Sequence, residues 1–264
     1  MSKILTGVFA MMMISSIANA GAIVLEGLFQ GKDIYVQNPE GPKGVGYAVY
    51  EVQVNGEITA DEINSSAFVI DLNVMNFMVG DPITVKIIHH DGTSPKVLNK
   101  EAILPTSTFD ITKLEVTKDA TVIWETNNES GSLTYVVEQY RWNKWIKLGE
   151  VIGTGNADRN TYSFSFDSHA GTNTLRVKQR DHSGKPRYSD EVTYDAIGVS
   201  QVEFTPKKVD HTINFTRETR FEIFNEYGEL KKRGFDAVVD VEGLDKGTYY
   251  INYDNRFGET FVLR

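Results

Sequence analysis

The chain has 264 residues, with 36 Asp and Glu against 27 Lys and Arg, a formal net charge of -9 and no cysteine. That acidic balance argues against partners held by clustered cations, so neither nucleic acid nor an anionic membrane surface is expected. The absence of Cys excludes disulfide staples and a lipid-modified N-terminal cysteine, and leaves two or three small apolar cores to hold the fold.

Lys3 precedes an apolar run from Ile4 to Ile17 that ends at Ala18-Asn19-Ala20. A charged start, an apolar stretch and a small-x-small site predict an export signal cut between Ala20 and Gly21. The run is shorter than the roughly 20 apolar residues of a membrane-spanning helix, and no later stretch approaches that length. The expected product is exported to the periplasm, the outer-membrane periphery or the cell surface.

Beyond the signal, apolar and polar residues alternate with period two, and no window sustains helical spacing, so the fold class is all-β. In the first region, 21–106, Ala48, Tyr50, Val52 and Val54 are expected on one face and Val49, Glu51 and Gln53 on the other, before an Asn55-Gly56 hairpin turn. A further strand follows Gly80-Asp81-Pro82, with Ile83, Val85, Ile87 and His89 on one face and Thr84, Lys86 and His90 on the other. It ends at Asp91-Gly92, and the region reads as a small β-sandwich.

The second region, 107–197, repeats the pattern: Ala120, Val122 and Trp124, then Leu133, Tyr135 and Val137, then Tyr162, Phe164 and Phe166, then Leu175 and Val177. Turn-rich stretches at Asn127 to Ser132 and Gly153 to Asn156 separate them, as in a Greek-key sandwich. The segments Val122 to Glu129, Tyr135 to Gln139, Leu148 to Val151 and Leu175 to Asp181 resemble a fibronectin type III-like module of secreted proteins in bacteria that use type IX secretion.

The third region, 198–264, carries Phe221 to Phe224, a turn at Glu226-Tyr227-Gly228-Glu229, Val238 to Val241, Gly243 to Gly247, and Tyr249 to Tyr253. Its order is similar to the C-terminal sorting domain of type IX secretion cargo, with Gly228, Leu244, Gly247 and Tyr249 at the matching positions. That resemblance implies a third small β-sandwich closed by Phe261-Val262-Leu263, and partners in a secretion or gliding apparatus. Lys231-Lys232-Arg233 reads as a solvated turn or edge strand.

Little in the sequence points to catalysis. His89 and His90 are neighbours on one strand and point to opposite faces, which prevents them from sharing one ion. Gly153-Thr154-Gly155-Asn156 lacks the Lys and the helix start of a phosphate loop, and Asp158, Asp167, Asp181 and Asp190 lack calcium-loop spacing. No cofactor or metal is expected. The residue singled out for binding is Trp142, beside Arg141 and Lys144; the resemblance to the fibronectin-type module, which places an aromatic inside at Trp145, implies that Trp142 is the exposed one, at a hairpin tip. The chain therefore reads as a non-catalytic interaction or assembly protein, in a narrower version relaying secretion status to a periplasmic sensor. The alternative is an enzyme or carbohydrate-binding accessory with a site in the N-terminal domain; a pocket with converging carboxylates in residues 21–106 would favour the enzyme.

Overall fold

A computed structural model describes residues 21–264; the expected signal peptide, up to Ala20, lies outside the described residues. Among the described residues, twenty-one strands in chain order build an all-β architecture of small sandwiches in series, as the alternation predicts. In the first sandwich β1 (Ala22–Leu28), β2 (Ile34–Gln37), β3 (Val49–Val54), β4 (Glu57–Ile58), β5 (Ala67–Ile70), β6 (Pro82–His89) and β7 (Lys96–Val97) form two sheets, ordered β1-β6-β3-β4 and β5-β2-β7. Leu25, Ile34, Val36, Val52, Ile70, Val85 and Ile87 fill the space between them.

The expected alternation holds along β6 but fails in β3. Val49 pairs with His89 while Glu51 pairs with Ile88, so Tyr50 is an extra residue without a partner. Such a bulge shifts the side-chain phase by one. Ala48 and Val49 are consequently both buried, Tyr50 is 52% exposed, and Val52 and Val54 point inward again. The Asn55-Gly56 turn has φ of 51° and 87°, the positive pair that a two-residue hairpin requires.

The second sandwich comprises β8 (Asp110–Val116), β9 (Thr121–Asn127), β10 (Thr134–Arg141), β11 (Lys144–Ile152), β12 (Asn160–Ser165), β13 (Gly171–Arg180), β14 (Pro186–Tyr188) and β15 (Val192–Ala196). One sheet runs β12-β9-β8; the other runs β11-β10-β13, with β14 and β15 both paired to β13. This Greek-key division gives an immunoglobulin-like sandwich of the fibronectin type III kind. Trp124, Tyr135, Val122, Val137, Leu175 and Val177 are each 0% exposed and form its core.

A buried carboxylate, which the alternation does not reveal, ties this sandwich together. Glu129 is 3% exposed, and its oxygens accept hydrogen bonds from Thr126, from Tyr135 Oη at 2.9 Å, from Tyr162 Oη at 2.9 Å and from the Gly155 N–H at 2.9 Å. The glycine-rich loop at Gly153 to Asn156 thus closes around Glu129. Gly155 has φ of 82°, and a Cβ there would lie 2.3 Å from the Ser132 nitrogen, so only glycine fits.

The third unit contains β16 (Phe204–Thr205), β17 (Lys208–Val209), β18 (Thr212–Phe224), β19 (Leu230–Asp240), β20 (Gly247–Tyr253) and β21 (Arg256–Leu263). They form one sheet, β16-β18-β20-β21-β17, with β19 also paired to β18. The register of β18 against β19 breaks between Asn214 and Thr219. A break of that kind bends a strand and allows one sheet to supply both layers of a sandwich. Ile213, before the break, and Phe215, within it, share a core with Phe221, Ile223, Tyr253 and Phe261 beyond it.

Candidate recognition cleft between the second and third sandwiches

The β10–β11 hairpin closes through Trp142 and Asn143, with φ of 53° and 60°. Asn tolerates the left-handed region; a bulky aromatic there is strained by about 1–3 kcal/mol. Trp142 is only half-buried, its indole Nε1 is enclosed without a hydrogen-bond partner, and Lys144 Nζ sits 5.9 Å from its ring centre. The expected position at a hairpin tip is met, but the ring is not free in solvent. It lines a cleft of about 630 Å³ with Lys144 to Leu148 of β11, Arg220 to Glu222 of β18 and Arg233 to Phe235 of β19.

The expectation that Trp145 packs inside is corrected. The tight turn pairs Trp145 with Tyr140, and cross-strand partners share a face. Tyr135 and Val137 point into the core, so Tyr140 and Trp145 point out. On that outer face the Arg176 guanidinium lies 4.0 Å from the Trp145 ring centre and 4.1 Å from that of Tyr188, and Arg176 is itself paired to Glu138 at 2.8 Å.

By the same alternation Arg141 points inward, which corrects the reading of it as a surface cation beside Trp142. It is 4% exposed. Its guanidinium donates to the Gln139 side chain, to the Asp167 carbonyl at 2.6 Å and to the Asp254 carbonyl, in the third unit, at 3.2 Å. Burial pushes its pKa down, with Arg220 adding to the effect and Asp254 and Asp167 opposing it. Around this clamp Arg220 pairs with Asp167 at 3.3 Å, Asn255 donates to the Ala170 carbonyl at 2.8 Å, and Lys144 pairs with Glu222 at 2.6 Å. Asp254 is 0% exposed and also takes Arg217 at 3.0 Å. Burial lowers the pKa of the adjoining His169, favouring its neutral imidazole.

Other residues singled out in the sequence lie elsewhere. Gly228, with φ of 78°, turns the chain between β18 and β19, a conformation glycine adopts without strain. Leu244 packs partly against the third core, Gly247 opens β20, and Tyr249 stacks on Phe261 at 5.4 Å and donates to the Asp245 carbonyl at 2.7 Å. His89 contacts the His90 carbonyl and Thr93, while the His90 ring lies 4.9 Å from Tyr50. In the first sandwich the Asp33 and Asp61 carboxylates accept backbone N–H bonds from Leu72 and Asp71. Among the described residues no three His, Asp or Glu side chains are grouped to hold a metal ion, and no helix is long and apolar enough to cross a membrane.

No family model and no curated protein matches the chain. Solved structures similar to it include a tetra-tandem repeat from the extending region of a large adhesion protein, at 11% identity and TM-score 0.30 over 92% of this chain and 80% of that one. Fibronectin(III)-like modules of Clostridium thermocellum CbhA give 13% identity and TM-score 0.21, covering 59% and 91%. The Pseudomonas aeruginosa CupB2 chaperone gives 12% and 0.22, covering 64% and 91%. At such low scores these likenesses decide nothing further; the strand pairings themselves define the architecture.

Proposed function

We propose that the chain is an exported, non-catalytic assembly protein of a type IX secretion or gliding apparatus, whose second and third sandwiches act as one recognition unit. The observation that carries this reading is the conformation of Trp142. A two-residue turn is best served by Asn and Gly, yet a bulky indole is held there in a strained backbone and delivered to a cleft. Strain of this kind gathers where a side chain is needed for binding. The Arg141 clamp fixes the second and third units on each other, and a preorganised surface loses less entropy on association.

The cleft favours a protein partner over a sugar. Carbohydrate stacking needs a free aromatic face; Arg176 covers one face of Trp145, and the Trp142 ring is half-buried with Lys144 Nζ 5.9 Å from its centre. In this proposal the third sandwich serves as the sorting-like module, supported by the order of its turns at Gly228 and at Leu244 to Tyr249, and the cleft relays occupancy to a periplasmic sensor. Affinity isolation of the tagged chain from membrane fractions, with identification of copurifying proteins, tests the reading. Stoichiometric recovery of an envelope-assembly component supports it; recovery of the chain alone, after mild crosslinking, rejects it.

A further inference from the structure

Resting on the interaction reading above, we infer that the cleft takes an extended acidic peptide segment of a partner protein, which adds as a strand to the free edge of β11. Three observations lead there. A pocket on the face of a sheet is lined by alternate residues, because side chains alternate. This one is lined by five consecutive residues, Lys144 to Leu148, and so runs along a strand edge. β11 is the terminal strand of its sheet. In a two-residue hairpin the pair flanking the turn, here Arg141 and Lys144, is the hydrogen-bonded one. The backbone groups of Lys144 and Ile146 therefore face β10, and those of Trp145 and Lys147 face outward. Among the described residues no other backbone group meets them. An open edge of this kind is the template for β-strand addition.

The charge around that edge selects the peptide. Lys144, Lys147, Arg220 and Arg233 line the cleft against the single carboxylate of Glu222, in a chain whose formal net charge is -9. Glu222 is already engaged by Lys144, Lys147 by Glu150 and Arg220 by Asp167, whereas Arg233 has no ion pair among the described residues. Trp142 and Phe235 supply the apolar walls for the side chains between the acidic ones. The ligand chemistry is thus a strand with Asp or Glu beside Arg233 and apolar residues in register with Trp142.

The test uses a displayed library of random twelve-residue peptides panned against the full mature chain, followed by titration of the enriched peptides by fluorescence anisotropy. Enriched sequences are expected to be acidic and alternating, to lose binding when alternate backbone nitrogens are methylated, and to bind about tenfold more weakly to Arg233→Glu. Trp142→Gly, which suits the turn, is expected to weaken them comparably while leaving the circular dichroism spectrum unchanged. Peptides without acidic bias, equal binding after methylation, or indifference to Arg233→Glu overturn the inference, as does failure to enrich any peptide. A dimer in light scattering that Arg233→Glu dissociates also overturns it, in favour of a second copy as occupant. If Arg233→Glu still recovers the same envelope partner from membrane fractions, the interaction reading stands and only this placement of its ligand fails.

Discussion

Arg141 and Asp254 stand 113 positions apart in the chain, yet the guanidinium of the first donates to the main-chain carbonyl of the second at 3.2 Å, with both residues buried. Arg141 reaches this point because it occupies an inward position of β10, at the end of the space between the two sheets of its sandwich. From there Gln139 and Asn173 extend the polar chain inward, joined at 2.7 Å. Replacing Arg141 with Met keeps much of the volume but leaves the Asp167 and Asp254 carbonyls without their donor. Each buried polar group left unpaired costs about 1–3 kcal/mol. Arg141→Met is expected to lower stability by about 3 kcal/mol on that basis. It should also split one calorimetric transition into two, with a larger radius of gyration in solution scattering. A single unshifted transition would show that the clamp does not couple the units.

Trp124 is 0% exposed and packs edge-on against Tyr135 at 5.7 Å, with Tyr162 at 5.4 Å. Trp124→Ala is expected to destabilise the second sandwich by roughly 3–5 kcal/mol, the cost of deleting a large buried aromatic. Denaturant titration measures it, and a loss below about 1 kcal/mol would contradict the role of this residue in the core.

Glu129 joins four segments through hydrogen bonds to Thr126, Tyr135, Tyr162 and Gly155. Glu129→Ala deprives three buried hydroxyls and one backbone N–H of an acceptor, so the loss is expected to be about 3 kcal/mol or more. Hydrogen exchange at the Gly155 amide should accelerate in the same variant, which a purely global effect would not single out. Glu129→Gln, which retains an acceptor oxygen, should recover part of the stability.

High pH should unfold the chain through its buried tyrosines. Burial raises the pKa of Tyr135 well above the usual range, and Glu129 adds to the effect; burial also raises Tyr162, and it pushes Tyr253 up to about 12. In an unfolded chain these hydroxyls titrate near about 10. The fold favours their neutral form, so the stability they contribute is fully present below that value. It is lost as pH climbs from there through the folded pKa values. The melting temperature is expected to fall steadily above about pH 10, and Tyr135→Phe should flatten the fall. A pH-independent melting temperature up to about pH 12 would contradict the linkage.

The all-β class and most of the core were legible because both rest on period-two alternation, which survives wherever a strand has one buried face. Val122 and Trp124, Tyr135 and Val137, and Ile83, Val85 and Ile87 all occupy the inward positions their spacing predicts. Tyr50 escaped because a bulge inserts one residue without any mark in composition. Trp145 could have been placed: a two-residue turn at Trp142-Asn143 pairs it with Tyr140 and puts it opposite in phase to Val137. Arg141 carried a usable signal too, a charge at an inward position next to a turn. Its partner Asp254 carried none, since Tyr253-Asp254-Asn255-Arg256 reads as an ordinary turn until the two sandwiches are brought together. Glu129 was hidden likewise in a stretch whose polar residues look solvated.

The last prediction concerns the third unit as a sorting-like module. Tyr249 pairs with Phe261 in the ladder of β20 and β21, and the two rings stack at 5.4 Å, so the closing strand is integral to the core. Removing only that strand would expose Ile251 and Tyr253 and leave β20 with an unpaired edge, a route to aggregation that says nothing about sorting. Removing all of 198–264 is cleaner for the third core but strips Arg141 of the Asp254 carbonyl and leaves a buried cation poorly paired, at a cost of several kcal/mol. The informative truncation therefore combines loss of 198–264 with Arg141→Met, so that no buried guanidinium is left uncompensated. With near-UV circular dichroism confirming that the remaining sandwiches are folded, this form is expected to stay in the periplasm while the full chain reaches the surface. Equal partition of the two forms between periplasm and surface would remove the sorting role and leave the third sandwich as the second wall of the cleft.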